Sequence, residues 1–408
     1  MAPASIFEQI LDYANRANPY PLYAELRETP VTREADGTYM VSTYDEIVAL
    51  LHDPRVSSDP HNRPQPASTA AASPPGLPPP FIQLDPPQHD RLRALATWPF
   101  GPPHSPGRID GLRPWLAETT TALIDTLAGK DQIDLVDDFA YPLPVTVICH
   151  LLGVPREDEP RFHGWAEAII EAVDPTTGSF DQRLRRRTQV DAELRDYLAG
   201  LADAHLRQPG DDLLSGLLTE TDAPGGPMAR DHMLATGSLL LVAGHETTVN
   251  LITNGMLTLL RHPHVLDRLR HQPDLAVPLV EELLRYEPPV HFLTSRTALA
   301  DIDVAGSTIP AGAPITLVLA AGSRDPDRFD DPDRFDPDRS DNQHLGFGSG
   351  IHYCYGAPLA RVETQIALPE LARRLTNPRL VVDPPPYRPN PALRGPRHLP
   401  IEVDRVTA

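Results

Sequence analysis

Lysine is almost missing from this chain of 408 residues: Lys130 is the only one, so arginine carries nearly all the positive charge. Positive charge is itself in short supply. Against 36 basic residues stand 56 acidic ones, a net charge of −20, which repels nucleic acid and anionic membrane surfaces over most of the molecule. Any cationic docking surface must then be a local patch. Cysteine occurs twice, as Cys149 and Cys354, far apart and in no C-x-x-C arrangement, which argues against a disulfide framework and a structural zinc site. From Met1 to Pro19, Glu8, Asp12 and Arg16 interrupt the apolar positions. Neither a signal-peptide core nor a membrane anchor is expected there, and a cytoplasmic protein is.

What is abundant is proline, 48 residues, in a chain that is 40% hydrophobic. The prolines punctuate apolar periodic stretches instead of forming one low-complexity tract, so a folded protein with many loops is expected. Helix is predicted at Pro21 to Arg27, a strand at Thr38 to Ser42 and a further helix opening near Thr43. Residues 60–82 are Pro-rich and read as a loop, either plain or lying over a pocket. From Arg108 to about Arg270 apolar residues recur at helical spacing. After Pro288 come short strand patterns at His291 to Arg296, Asp301 to Ile309, Pro314 to Leu319 and Leu399 to Val403. The fold class is therefore mainly α with a small β-rich lobe.

The informative segment is Phe347-Gly-Ser-Gly-Ile-His-Tyr-Cys-Tyr-Gly356, followed by Ala357-Pro358-Leu359 and a helical pattern. Pro358 suits a first helical turn, which places Cys354 at the approach to a helix N-terminus. The N–H groups and dipole there stabilise a thiolate, the form that binds a metal. A lone cysteine in a Gly-rich turn is most often an inert small hydrophobe. This segment, however, resembles the haem-binding loop of the cytochrome P450 superfamily, in its bacterial soluble class, at every fixed position: Phe-Gly-x-Gly-x-His-x-Cys-x-Gly.

Three further patterns occur in that family's order. Ala243-Gly-His-Glu-Thr247 lies in an apolar run, with Ala243 and Thr247 one turn apart, and Gly244 suggests a kink or a close ligand approach. Resemblance implies that Thr247 and Glu246 are catalytic, Thr247 bonding the iron-bound dioxygen and Glu246 feeding protons inward. The bland alternative is a threonine bonded to its own helix and a glutamate on a solvated face. Glu282-Leu-Leu-Arg285 is an i, i+3 pair that in the family locks the cysteine region with a further arginine. Asp-Pro-Asp-Arg-Phe occurs at 325–329 and 331–335, and Arg334 is assigned that structural role, with Arg328 as competitor. His89 and Arg93, on a helix that Asp85 could cap, are implied to bind haem propionates together with Arg296 and His352.

The resemblance implies one P450 domain over residues 1–408, haem b as cofactor with Cys354 as its metal ligand, and a monooxygenase reaction using O2. No flavin or iron–sulfur motif is present in the sequence, so NAD(P)H electrons would arrive through a separate ferredoxin reductase and ferredoxin. Docking would fall on Arg361, Arg373 and Arg374. The implied substrate pocket comprises Leu240, Ala243, His291, Phe292, Leu293, Thr294, Ala392 and Leu393, with residues 60–82 and helix faces near 165–185. Its apolar character suggests a small hydrophobic substrate such as a polyketide, terpenoid or steroid. A haem-binding sensor without oxygenase activity, and a P450 that couples aromatic rings or uses peroxide directly, are the competing functions.

Overall fold

The computed structural model describes residues 5–63, 77–101, 105, 107–173, 179–223 and 225–407. Its axis is one helix of 32 residues, Arg230–Arg261, about 48 Å long at 1.5 Å per residue. From Thr248 to Leu259 every residue of that helix is buried, as expected of a helix surrounded by others. Helices Pro142–Leu152, Glu159–Val173, Phe180–Arg207, Pro263–His271, Ala276–Tyr286 and Ala357–Arg374 all pack on it. The Arg113–Asp125 helix closes the far side of Ala357–Arg374.

Gly244 shows why the central helix carries glycine. A Cβ there would stand 2.9 Å from Ile148 Cδ1, so the glycine permits close packing against Pro142–Leu152. The helix assignment is continuous through this position.

The β lobe is a five-stranded sheet in the order Val31–Arg33, Tyr39–Val41, Pro314–Leu317, Leu293–Ala298, Val56–Ser57. Tyr39–Val41 pairs in parallel with Pro314–Leu317 and the other neighbours are antiparallel. Three of the predicted strand regions thus fall within two residues of the observed strands, and Asp301 to Ile309 resolves into a hairpin of Ile302–Val304 with Ser307–Ile309. A separate three-stranded sheet joins Arg379–Leu380 and Pro400–Glu402 to Gln132–Asp134. Most of the Pro-rich loop, residues 64–76, lies outside the described residues, as do 174–178 within the predicted helix faces.

Candidate functional site

Cys354 sits where its sequence placed it. Helix Ala357–Arg374 begins three residues later, with Pro358 in its first turn, and the Cys354 N–H donates to the Phe347 carbonyl at 2.9 Å. Gly350 adopts φ +69° against the helix Tyr44–His52, where a Cβ would collide with the Leu51 carbonyl. No other residue type fits there. Burial pushes the Cys354 thiol up, while the N–H groups of Gly356 and Ala357 and the charges of Arg93 and Arg361 pull it down. This sulfur is set for a cationic partner, which would take it as the thiolate.

Around it gather four basic side chains, His89, Arg93, Arg296 and His352. His89 and Arg93 share one face of Gln88–Phe100, and the His89 and His352 rings stand 4.4 Å apart. His89 bonds Asp90 through Nδ1 at 2.8 Å and His352 bonds Ser58 through Nε2 at 2.9 Å. Each then leaves its other ring nitrogen buried and without a partner. Arg296 has no side-chain hydrogen bond or ion pair among the described residues, and burial drives it down to about 10. His352 is pushed down to about 3 by burial and by Arg296, His89 and Arg93.

Two guanidiniums and two imidazoles, each imidazole with one buried ring nitrogen unpartnered, suit a pair of carboxylates. Haem b, a flat group with two propionates, fits this donor set and the sulfur beside it. Arg63 belongs to the same cluster and sequence reasoning missed it. Its Nη2 donates to the Ser295 carbonyl at 3.3 Å, its Nε is buried without a partner, and it acts electrostatically on Arg296. Asp85 does not cap the helix as expected. Its carboxylate is taken instead by Ser57, the Ser58 N–H and Asn62.

The central helix has one interruption in its burial. Val242 and Ala243 are exposed and Gly244 and Thr247 half-buried, although both flanks of the helix are core. Thr247 Oγ1 donates to the Ala243 carbonyl at 2.7 Å, the back-bond of the bland alternative, and Thr248 does the same to Gly244. Glu246 is buried, contrary to a solvated face, and burial pushes its carboxyl up against the opposing pull of Arg388.

The expected pocket divides. Leu240, Ala243, Leu293 and Thr294 follow the β lobe and central helix, and Leu393 bridges Val290, while the Ala392 carbonyl accepts the His291 N–H at 2.8 Å and Ala392 packs against the N-terminal core. His291 and Phe292 do not belong with them. His291 bonds the Tyr23 hydroxyl at 2.7 Å, and Phe292 meets Phe7 and Tyr23 edge-on. Both are buried in the N-terminal core because the helix Tyr20–Arg27 packs over them.

The lock beneath the cysteine also needs correction. Glu282 and Arg285 are fully buried and paired through two hydrogen bonds of 2.7 and 2.8 Å. Arg334 offers this pair only its carbonyl, and its side chain is 65% exposed beside Asp336. Arg328 pairs with Asp341. The inward arginine is Arg339, whose Nε lies 3.6 Å from Glu282, where Asn342 and the Asp336 N–H also donate. Next to them Arg361 makes a two-bond pair with Glu281. Burial opposes ionisation of Glu281, yet Arg361 and His344 hold it down at about 2.

The proposed docking arginines are therefore mostly committed: Arg361 to Glu281, Arg373 to Glu370, and Arg374 buried against Asp125. What stands exposed near the sulfur is Ile351, at 47%, and Tyr353, at 37%.

Comparisons with known proteins agree with this geometry. The profile of the cytochrome P450 family matches residues 2–377. The chain is 43% identical over 398 residues to the cytochrome P450 monooxygenase PikC of Streptomyces venezuelae, covering 95% of this chain and 92% of that protein. It is 36% identical over 399 residues to the 6-deoxyerythronolide B hydroxylase of Saccharopolyspora erythraea, covering 94% and 96%. Among solved structures, cytochrome P450 CYP109Q5 of Chondromyces apiculatus superposes with a TM-score of 0.88 at 32% identity, covering 98% of both chains.

Proposed function

Since the chain belongs to the cytochrome P450 family and is a haem b monooxygenase, we propose that its substrate is a hydrophobic small molecule of polyketide, terpenoid or steroid type. Electrons would come from NAD(P)H through a ferredoxin reductase and a ferredoxin, in the cytoplasm. No helix of the described residues is long and apolar enough to cross a membrane. The observation that carries the reading is the Cys354 sulfur with the Arg93 and Arg296 guanidiniums and the buried, unpartnered ring nitrogens of His89 and His352.

Bound haem supplies the oxidant that inserts oxygen into a C–H bond or an alkene. Cys354 would ligate its iron, and His89, Arg93, Arg296 and His352 would hold its propionates. Ala243 offers room on the helix face, while Leu240, Leu293, Ala392 and Leu393 exclude water and orient an apolar substrate. Glu246, whose carboxyl is pushed up by burial and pulled down by Arg388, can release a proton inward. Thr247 can leave its back-bond and pass that proton on. The relative that hydroxylates 6-deoxyerythronolide B favours a polyketide among the three classes. A spin-state screen over polyketides, terpenoids and steroids tests this: a change with none of them overturns the substrate class.

Thr247→Ala is expected to retain haem and substrate binding while product per NAD(P)H falls about tenfold or more and hydrogen peroxide rises. Glu246→Gln should slow product formation by about 10²-fold, the lower range for a positioned proton donor. If the Ala243 back-bond were the whole role of Thr247, stability would change modestly and coupling would not. Simultaneous measurement of product, peroxide and NAD(P)H consumption decides between them.

Ile351 and Tyr353 form the apolar centre of the surface nearest Cys354, where a small acidic ferredoxin would dock. Ile351→Glu is expected to slow ferredoxin-driven turnover at least several-fold, with a salt dependence from the added repulsion. Peroxide-driven turnover should be spared. Equal loss in both assays would place the damage in the haem site instead.

A further inference from the structure

Glu246 lies in a polar corner of the core. Its carboxylate stands 3.8 Å from the Arg388 Nε, both side chains being 6–7% exposed. That separation is an ion pair without a direct hydrogen bond. Nearby polar atoms are also buried and unpartnered: Nε and Nη2 of Arg388, both amide atoms of Asn250, and the Tyr141 hydroxyl. Interiors hold few such atoms and satisfy them through ordered water. Their concentration beside one acid marks a place where water can carry protons.

The C-terminal segment builds this corner. Tyr387 pairs with Pro396 and the Arg388 N–H donates to the Gly395 carbonyl at 3.0 Å, which makes a hairpin of these residues. A Cβ on Gly395 would collide with the Asn250 amide. Glycine thus lets the hairpin press on the central helix one turn beyond Glu246, with Arg388 opposite the acid.

Other charged groups face the corner from each packed element. His245 bonds the Tyr141 carbonyl at 3.2 Å and is driven down to about 3, mainly by burial, so it stays neutral. His163 and Glu167 act on it and on Tyr141 from Glu159–Val173. Toward solvent, Asp137 and Arg397 act on Arg388. They pair with each other at 3.0 Å, and His398 reaches Asp137 at 3.4 Å.

We propose that Arg388 is the positioning residue for Glu246, holding the carboxyl toward the C-terminal hairpin, where it is reloaded with protons from the Asp137–Arg397–His398 surface beside Tyr141. The inference rests on Glu246 being the proton donor. In each cycle the Glu246 O–H bond breaks and the proton passes inward toward Thr247. The electron pair remains on the carboxylate, matched by Arg388, which keeps its own protons. A proton arriving through water from the hairpin side restores the acid.

The test is infrared titration of the haem-loaded protein, following the Glu246 acid C=O stretch, identified as the band missing from Glu246→Gln. In Arg388→Gln the midpoint should rise by about one to three pH units, the usual effect of removing an opposite charge at this range. Arg388→Lys should restore most of it, and the solvent isotope effect on product formation should grow in Arg388→Gln alone. Should Arg388→Gln fail to retain haem, Gly395→Ala, which moves the hairpin without deleting a charge, should shift the same band upward. An unchanged midpoint in a haem-loaded Arg388→Gln overturns the proposal. Wild-type turnover in Glu246→Gln would instead sink the proton-donor reading, while the titration still reports whether Arg388 holds the carboxyl.

Discussion

Replacing Cys354 by serine is expected to abolish both the red-shifted Soret band of the reduced, CO-treated protein and all product formation, whereas Cys149→Ala leaves both intact. The two thiols differ in surroundings more than in sequence. Cys149 is buried within Pro142–Leu152 and burial, with a smaller push from Glu159, drives its thiol far up, which makes it a core hydrophobe. Cys354 is opposed by burial too, yet it has the Gly356 and Ala357 N–H groups and the charges of Arg93 and Arg361 to favour a thiolate. Serine keeps the size of the side chain but is a far weaker alkoxide ligand, so the fold should survive while the spectral signature does not. A surviving red-shifted band in Cys354→Ser, or its loss in Cys149→Ala, would reverse the assignment.

The cysteine loop was legible because backbone and side-chain demands coincide in it. Gly350 is required by the Leu51 carbonyl, Pro358 by the helix start and Cys354 by the chemistry, so the order of residue types alone carries the site. The same holds for His89 and Arg93, whose one-turn spacing survives in Gln88–Phe100. Asp85 illustrates the limit: its position suited a helix cap, but two serines and Asn62 compete for its oxygens from a distant segment. His291 and Phe292 looked like part of a strand facing the pocket, yet the strand begins only at Leu293, and the two residues before it are claimed by the Tyr23 side. Arg388 was invisible for a related reason. It lies in a hairpin without periodicity, and its partner becomes apparent only when Gly395 lands on Asn250.

The arginine beneath the cysteine yields the largest expected change in stability. Three Asp-Pro-Asp-Arg units follow one another, and the third, Asp336 to Arg339, ends in Ser340 where the others end in phenylalanine. Spacing cannot say which arginine turns inward, since that depends on where the chain doubles back over Ala276–Tyr286. In the structure Arg339 turns in, fixed by the Asp330 and Asp331 carbonyls at 2.7 and 3.2 Å, while the Arg334 side chain stays in solvent. Arg285→Ala should therefore destabilise the protein by about 3–5 kcal/mol, the usual result of removing one partner of a buried ion pair. It also strips the donor from the carbonyls of Ser323, Pro332 and Arg334, which hold the chain leading to the cysteine loop. Haem should then be lost at lower denaturant concentration than in the wild type. Arg334→Ala, on the surface, should stay within about 0.5 kcal/mol. Arg339→Ala should fall between the two, because Arg285, Asn342 and the Asp336 N–H remain on Glu282. Denaturant titrations followed by haem absorbance and by far-ultraviolet circular dichroism would measure all three, and an Arg334→Ala as damaging as Arg285→Ala would restore the sequence-based assignment over the structural one.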